Sequence, residues 1–132
     1  MLNYRLIKRQ NPRDPAAPRK YYAVGVAQGV TDVRELVDRI SDLSTVTSID
    51  TLAVLEALLK VIPKELSNGR IVRLGDLGTF RLTLKSEGSD QSENFNNSFI
   101  KGTNLIFRAG KLFRNVLKNI DFAKAKTGPS PQ

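Results

Sequence analysis

The sequence predicts an α+β protein, on three observations. Segments of strand composition and segments of helical period occupy separate stretches of the chain, an Asn-Gly pair closes the longest helical stretch, and a Gly-x-x-Gly turn joins two β-like runs.

The elements follow in order. Residues 2–9, "LNYRLIKR", and 20–27, "KYYAVGVA", are rich in β-branched and aromatic residues and flank "NPRDPAAPR". They predict a hairpin with a long, mobile, basic connection. Thr31 is placed as a helix N-cap, with Asp32 and Glu35 suited to the positive end of the dipole. Val33, Leu36, Val37 and Ile40 then recur at helical spacing, so residues 32–41 form a short amphipathic helix. Thr47 or Ser48 caps a second helix, with Asp50 in its first turn. From Ile49 to Leu66 its apolar residues cover more than one stripe: Leu52, Leu55, Leu59 and Ile62 on one side, Val54, Leu58 and Val61 beside it. Such a helix needs cover on more than one side, which in so small a domain points to a partner chain. Pro63 predicts a kink or an early stop near Ile62, and Asn68-Gly69 a left-handed helix end.

Arg70–Leu74 and Thr79–Lys85 read as strands joined by Gly75-Asp76-Leu77-Gly78. In the second, Phe80, Leu82 and Leu84 alternate with Thr79, Arg81, Thr83 and Lys85, giving one apolar face and one polar, basic face. Residues 86–98, "SEGSDQSENFNNS", form an exposed, acidic excursion. Residues 99–107 make a weaker third strand, and residues 109–120 return to helical period through Leu112, Phe113, Val116, Leu117 and Ile120. Residues 121–132 read as a disordered tail.

Composition narrows the function. The 132 residues contain no His and no Cys, which removes the usual general base, the thiol nucleophile and the common zinc ligands together. No catalytic residue, cofactor site or metal site is predicted, and an enzyme would have to rest on a carboxylate or Lys centre that the sequence does not display. No apolar run approaches a membrane span and no secretory signal precedes the charged start, so the expectation is a soluble, cytoplasmic protein. The net charge of +8 suits a polyanionic partner. It is unevenly spread: residues 1–30 carry +5, residues 31–99 carry −3 and residues 100–132 carry +6.

Three features invite a ligand. The GDLG loop has the glycines of a phosphate cradle, but such loops lead from a strand into a helix, and this one leads into another strand. A hairpin turn is the expectation. Glu87, Asp90 and Glu93 lack the spacing of a calcium loop and read as a solvated segment. Lys111, Arg114 and Lys118 share one side of the last helix, either as a phosphate-contacting patch or as a solvated outer face.

The succession of a short helix, a long helix ending in Asn-Gly, the hairpin "VRLGDLGTF", an excursion, a strand and "FRAGKLFRNVL" resembles the HU/IHF histone-like DNA-binding family. It is closest to the HU-related branch known from Bacteroidetes. The resemblance runs from about Thr31 to Asn119. It implies an HU/IHF-like α+β domain: two N-terminal helices that dimerise, an antiparallel sheet with a β-arm that forms a saddle on duplex DNA, and a C-terminal helix. The division expected is a β extension over 1–30, the HU-like domain over 31–120 and the tail beyond. Carried over residue by residue, it makes Arg81, Lys85, Lys111 and Arg114 DNA-contact candidates, joined by Arg73, Arg108 and Lys118.

Three departures are visible. The arm of the family is basic and carries a wedging proline, whereas residues 86–98 hold three acidic residues and neither proline nor cation. Residues 1–30 have no counterpart in the shortest members of the family. Pro63 falls inside the helix assigned to dimerisation. The resemblance implies a non-enzymatic, nucleoid-associated homodimer that binds double-stranded DNA by charge and shape with low sequence specificity. The alternative is an HU fold turned to protein interaction or scaffolding, its acidic arms repelling DNA.

Overall fold

A computed structural model describes residues 1–126. The chain divides into two compact units, Met1–Asp32 together with the segment from Lys118 onward, and Val33–Leu117.

The first unit is a three-stranded sheet. Strand β1 (Leu2–Arg9) pairs antiparallel with β2 (Lys20–Val26), as the hairpin reading expects. The connection is more ordered than its proline content suggests. Asn11 accepts from the Arg13 amide at 2.9 Å and Asp14 from the Ala16 amide at 3.2 Å, so two Asx turns follow one another. The far edge of β1 pairs in parallel with a short strand formed by Phe122–Lys124, in the order β2-β1-β6 where β6 is that strand. The reading of 121–132 as a disordered tail is therefore corrected over these residues; 127–132 lie outside the described residues. The Leu2 amide donates to Asp121 O at 2.8 Å and the Ala125 amide to Tyr4 O at 2.7 Å, which ties both ends of β6 down. The first 30 residues thus share a sheet with the C-terminal segment rather than standing as a separate extension.

The second unit starts with helices α1 (Val33–Leu43) and α2 (Ser48–Ser67). Thr47, not Ser48, caps α2, its hydroxyl accepting from the Asp50 amide at 3.2 Å. Pro63 does not stop the helix. Leu66, a residue beyond the expected break, is buried and anchors the last turn, and the closing carbonyls are satisfied: Gly69 donates to Leu66 O at 3.0 Å and Arg70 to Glu65 O at 3.1 Å. This is a Schellman closure, with Gly69 at φ 81° supplying the left-handed residue. Because the Arg70 amide belongs to that closure, the following strand β3 shrinks to Val72–Arg73.

Strands β3, β4 (Gly78–Ser86) and β5 (Ile100–Ala109) form an antiparallel sheet in that order. The excursion between β4 and β5 holds two single 3-10 turns, and the Phe95 and Phe99 rings stack at 5.2 Å. Helix α3 (Lys111–Lys118) is shorter than expected, because Ala109 is still paired with Gly78 in the sheet.

Little of this second unit is closed off. Val37, Thr51 and Leu66 are its buried side chains, while Val54, Leu58 and Val61 of α2 and Leu84 and Leu105 of the sheet are exposed.

Candidate nucleic-acid interface

In an antiparallel ladder, residues directly opposite each other project on the same face, and successive residues on opposite faces. Val72, Phe80 and Phe107 form one such row, and Phe80 and Phe107 touch with ring centroids 4.7 Å apart. Leu82 opposite Leu105 continues this apolar face. The adjoining row, on the other face, runs Arg73, Thr79, Arg108. Arg81, Thr83 opposite Asn104, and Lys85 opposite Gly102 extend it toward the excursion. The register thus places Arg73, Arg81, Lys85 and Arg108 on a single face, mostly polar but with Ile106 opposite Arg81, and all four cations are exposed.

Spacing and charge suit that face to phosphates. Strands lie about 4.8 Å apart, so Arg73 and Arg108 flank Thr79 at a separation of roughly 10 Å between backbones. The ion pairs among the described residues, Arg70 with Glu65 and Lys101 with Glu87, occupy none of the four. Four cations without acidic partners in these pairs and with hydroxyl and amide neighbours can contact phosphate oxygens at several points.

The other three candidates lie elsewhere. Phe113 of α3 meets the Phe107 ring edge-on at 5.8 Å, so α3 approaches the apolar face of the sheet. At 3.6 residues per turn, Arg114 is about 100° round the helix from Phe113, and Lys111 and Lys118 are roughly 140–160° away. Lys111, Arg114 and Lys118 are exposed and form a stripe of their own. The seven candidates therefore make two groups, four on the sheet and three on the helix.

What joins the groups is the glycine turn. Gly75 has φ 52°, and Leu77 N–H donates to Leu74 O at 3.0 Å, closing the turn. Its carbonyls then seat the start of α3: Gly110 N–H donates to Leu77 O at 2.9 Å and Leu112 N–H to Asp76 O at 3.1 Å. The loop thus presents acceptors, and those acceptors are occupied by the chain. The Leu77 amide is used within the turn itself, in keeping with a hairpin turn rather than a phosphate cradle. "RLGDLGTF" and "FRAGK" are two halves of one junction, a link that spacing in sequence does not reveal. Gly78 and Gly110 make it possible, because a Cβ at Gly110 would lie 2.1 Å from Asp76 O and one at Gly78 2.5 Å from the Phe107 ring.

A family model described as "HU domain fused to wHTH, Ig, or Glycine-rich motif", HU-HIG, matches residues 1–124. The chain belongs to the HU-HIG family. The resemblance to HU proteins read from the sequence is thereby borne out, and the match takes in the N-terminal sheet as well as the helices. Among solved structures, the chain is similar to a Bacteroides vulgatus protein assigned to bacterial DNA binding, with a TM-score of 0.64 at 14% identity. That match covers 97% of this chain and 49% of the other, so the chain spans about half the length of that relative. It is also similar to an Anabaena HU protein from a cocrystal with DNA, with a TM-score of 0.51 at 30% identity over 68% of this chain and 100% of that one. No curated protein matches. Among the described residues no helix is long and apolar enough to cross a membrane, and no cluster of acidic residues could hold a metal ion.

Proposed function

We propose that this HU-HIG protein is a non-enzymatic, nucleoid-associated protein that binds duplex DNA as a homodimer, by charge and shape rather than by base sequence. The observation that carries this reading is the row Arg73-Thr79-Arg108, extended by Arg81 and Lys85 on one exposed sheet face. Cations on a two-dimensional face meet a phosphate backbone at several points without needing base edges. The HU protein of the Anabaena cocrystal with DNA, 30% identical, supports DNA as the partner.

The dimer rests on the second helix. Thr51, Leu55, Ile62 and Leu66 line its covered side, whereas Val54, Leu58 and Val61 form an adjoining stripe that stays exposed. A second copy packing there would bring each such side chain about 1.5–3 kcal/mol of burial free energy. Pro63 is compatible with this packing because α2 runs on through it to Ser67.

The acidic excursion limits how the duplex is held. It holds neither a cation nor the family's proline wedge, and its phenylalanines, Phe95 and Phe99, are stacked on each other, so binding proceeds by surface contact with modest bending. A gel shift on mixed-sequence duplex at about 50 mM salt tests the reading, since a protein contacting several phosphates binds measurably there. Absence of a shift at micromolar protein would favour the scaffold alternative.

A further inference from the structure

Most of the net charge of the chain belongs to the other unit. The unit comprising residues 1–32 and 118 onward has nine basic and three acidic residues, leaving +6, while residues 33–117 have twelve and ten, leaving +2. The three strands of that first unit hold five of its cations, Arg5, Lys8, Arg9, Lys20 and Lys124, and no acidic residue, which suits a polyanion.

The two faces of this sheet differ. On one, Ile7, Val24 and Val26 are half-buried beside Arg5, Arg9 and Lys20, which are exposed. The other is set by the rows Leu2 opposite Phe122, Gly25-Tyr4-Lys124, Ala23 opposite Leu6, and Tyr21 opposite Lys8. Tyr21 and Phe122 are both 66% exposed at opposite ends of this face, far above what a packed aromatic ring shows. Lys8 stands over the Tyr21 ring at 5.7 Å, and Lys124 neighbours Tyr4. Between the ends, β2 offers only Ala23 and Gly25. A Cβ at Gly25 would meet nothing closer than Leu2 at 4.0 Å, so bare backbone lies open beside Tyr4. Small residues in a strand, next to exposed rings, leave a floor on which a flat group can lie.

We infer that this face binds single-stranded DNA, with bases stacking on Tyr21 and Phe122 and phosphates held by Lys8 and Lys124. Exposed rings alternating with cations recognise single strands because every unpaired base has a face to stack, whereas duplex bases are already stacked on each other. The choice of DNA over RNA rests on the duplex reading of the other unit; the face itself is an independent site, with no residue in common with the Arg73–Arg108 row. A chain with both surfaces would gather where duplex and unpaired strand meet.

The three tyrosines, Tyr4, Tyr21 and Tyr22, all lie in this sheet and the chain has no tryptophan, so intrinsic emission reports on this unit alone. The experiment titrates the full chain with an oligothymidylate of roughly 20 nucleotides, following anisotropy of the labelled strand and tyrosine emission. The expected result is binding with quenched tyrosine emission. The double variant Tyr21→Ala, Phe122→Ala should lose about tenfold to a hundredfold in single-strand affinity, with duplex affinity unchanged. The conservative pair Tyr21→Phe, Phe122→Tyr should keep the single-strand affinity. No binding by the unaltered chain, equal affinity in the alanine variant, or equal loss in the conservative variant would overturn the proposal. So would a matching loss on duplex, a change in molar mass showing that a second copy covers the face, or tighter binding of oligouridylate. Failure of the duplex reading is scored separately, by Arg73→Ala, Arg108→Ala on duplex DNA.

Discussion

Arg73 and Arg108 stand on either side of Thr79 in one row across the sheet, although 35 positions separate them in the chain. Neither is conspicuous in the sequence, where each is one arginine beside a glycine motif. The ladder brings them together, and the same ladder adds Arg81 and Lys85 to the face.

The helix stripe is separable from that face. Lys111 and Arg114 lie about 100–160° round α3 from Phe113, the residue that meets Phe107, so on the proposed reading they would reach only DNA that extends past the sheet. Replacing both by alanine should weaken duplex binding less than the Arg73, Arg108 pair does. The slope of log affinity against log salt should shrink by roughly 0.9 for each phosphate that is no longer neutralised. Anisotropy titrations across a salt series measure both; an unchanged slope would make the stripe a solvated outer face.

The glycine junction is a stability element. Gly110→Ala forces a carbon against the Asp76 carbonyl that also accepts from Leu112, and should cost about 1–3 kcal/mol as overpacking. Gly75→Ala places a side chain at φ 52° and should cost about 1–2 kcal/mol. Gly88→Ala meets nothing within 4 Å and should be close to neutral. Urea unfolding at one fixed protein concentration ranks the three, and a neutral Gly110→Ala would contradict the junction.

The exposed stripe of α2 predicts the oligomeric state. The full chain should have the molar mass of a dimer by light scattering, and Val54→Lys should shift it toward monomer while lowering stability. Unfolding midpoints should rise with protein concentration in the unaltered chain and lose that dependence in the variant.

Local signals carried much of the fold. The hairpin, the Thr47 cap and the Asn68-Gly69 helix end each rest on residues within a few positions of one another, which is where sequence patterns are informative. What stayed hidden was non-local. Phe122-Ala123-Lys124 is too short to read as a strand, and becomes one only because β1, from the other end of the chain, offers a free edge. Pro63 predicts a break in α2, but its effect falls on one backbone bond while Leu66 holds the turn beyond it. The site was legible as a set of seven cations and not as a surface, since faces follow from register. The aromatic face of the N-terminal sheet was not legible at all: Tyr21 and Phe122 belong together only once β6 has joined the sheet.

Whether the Arg73-Thr79-Arg108 row grips the duplex is read from the salt dependence of duplex binding. Affinity of the full chain should fall steeply between about 50 and 200 mM salt, and Arg73→Ala, Arg108→Ala should reduce both the affinity and the slope on every duplex sequence tried. A slope unchanged in that variant, or an affinity insensitive to salt in the unaltered chain, would mean that this row does not hold the duplex.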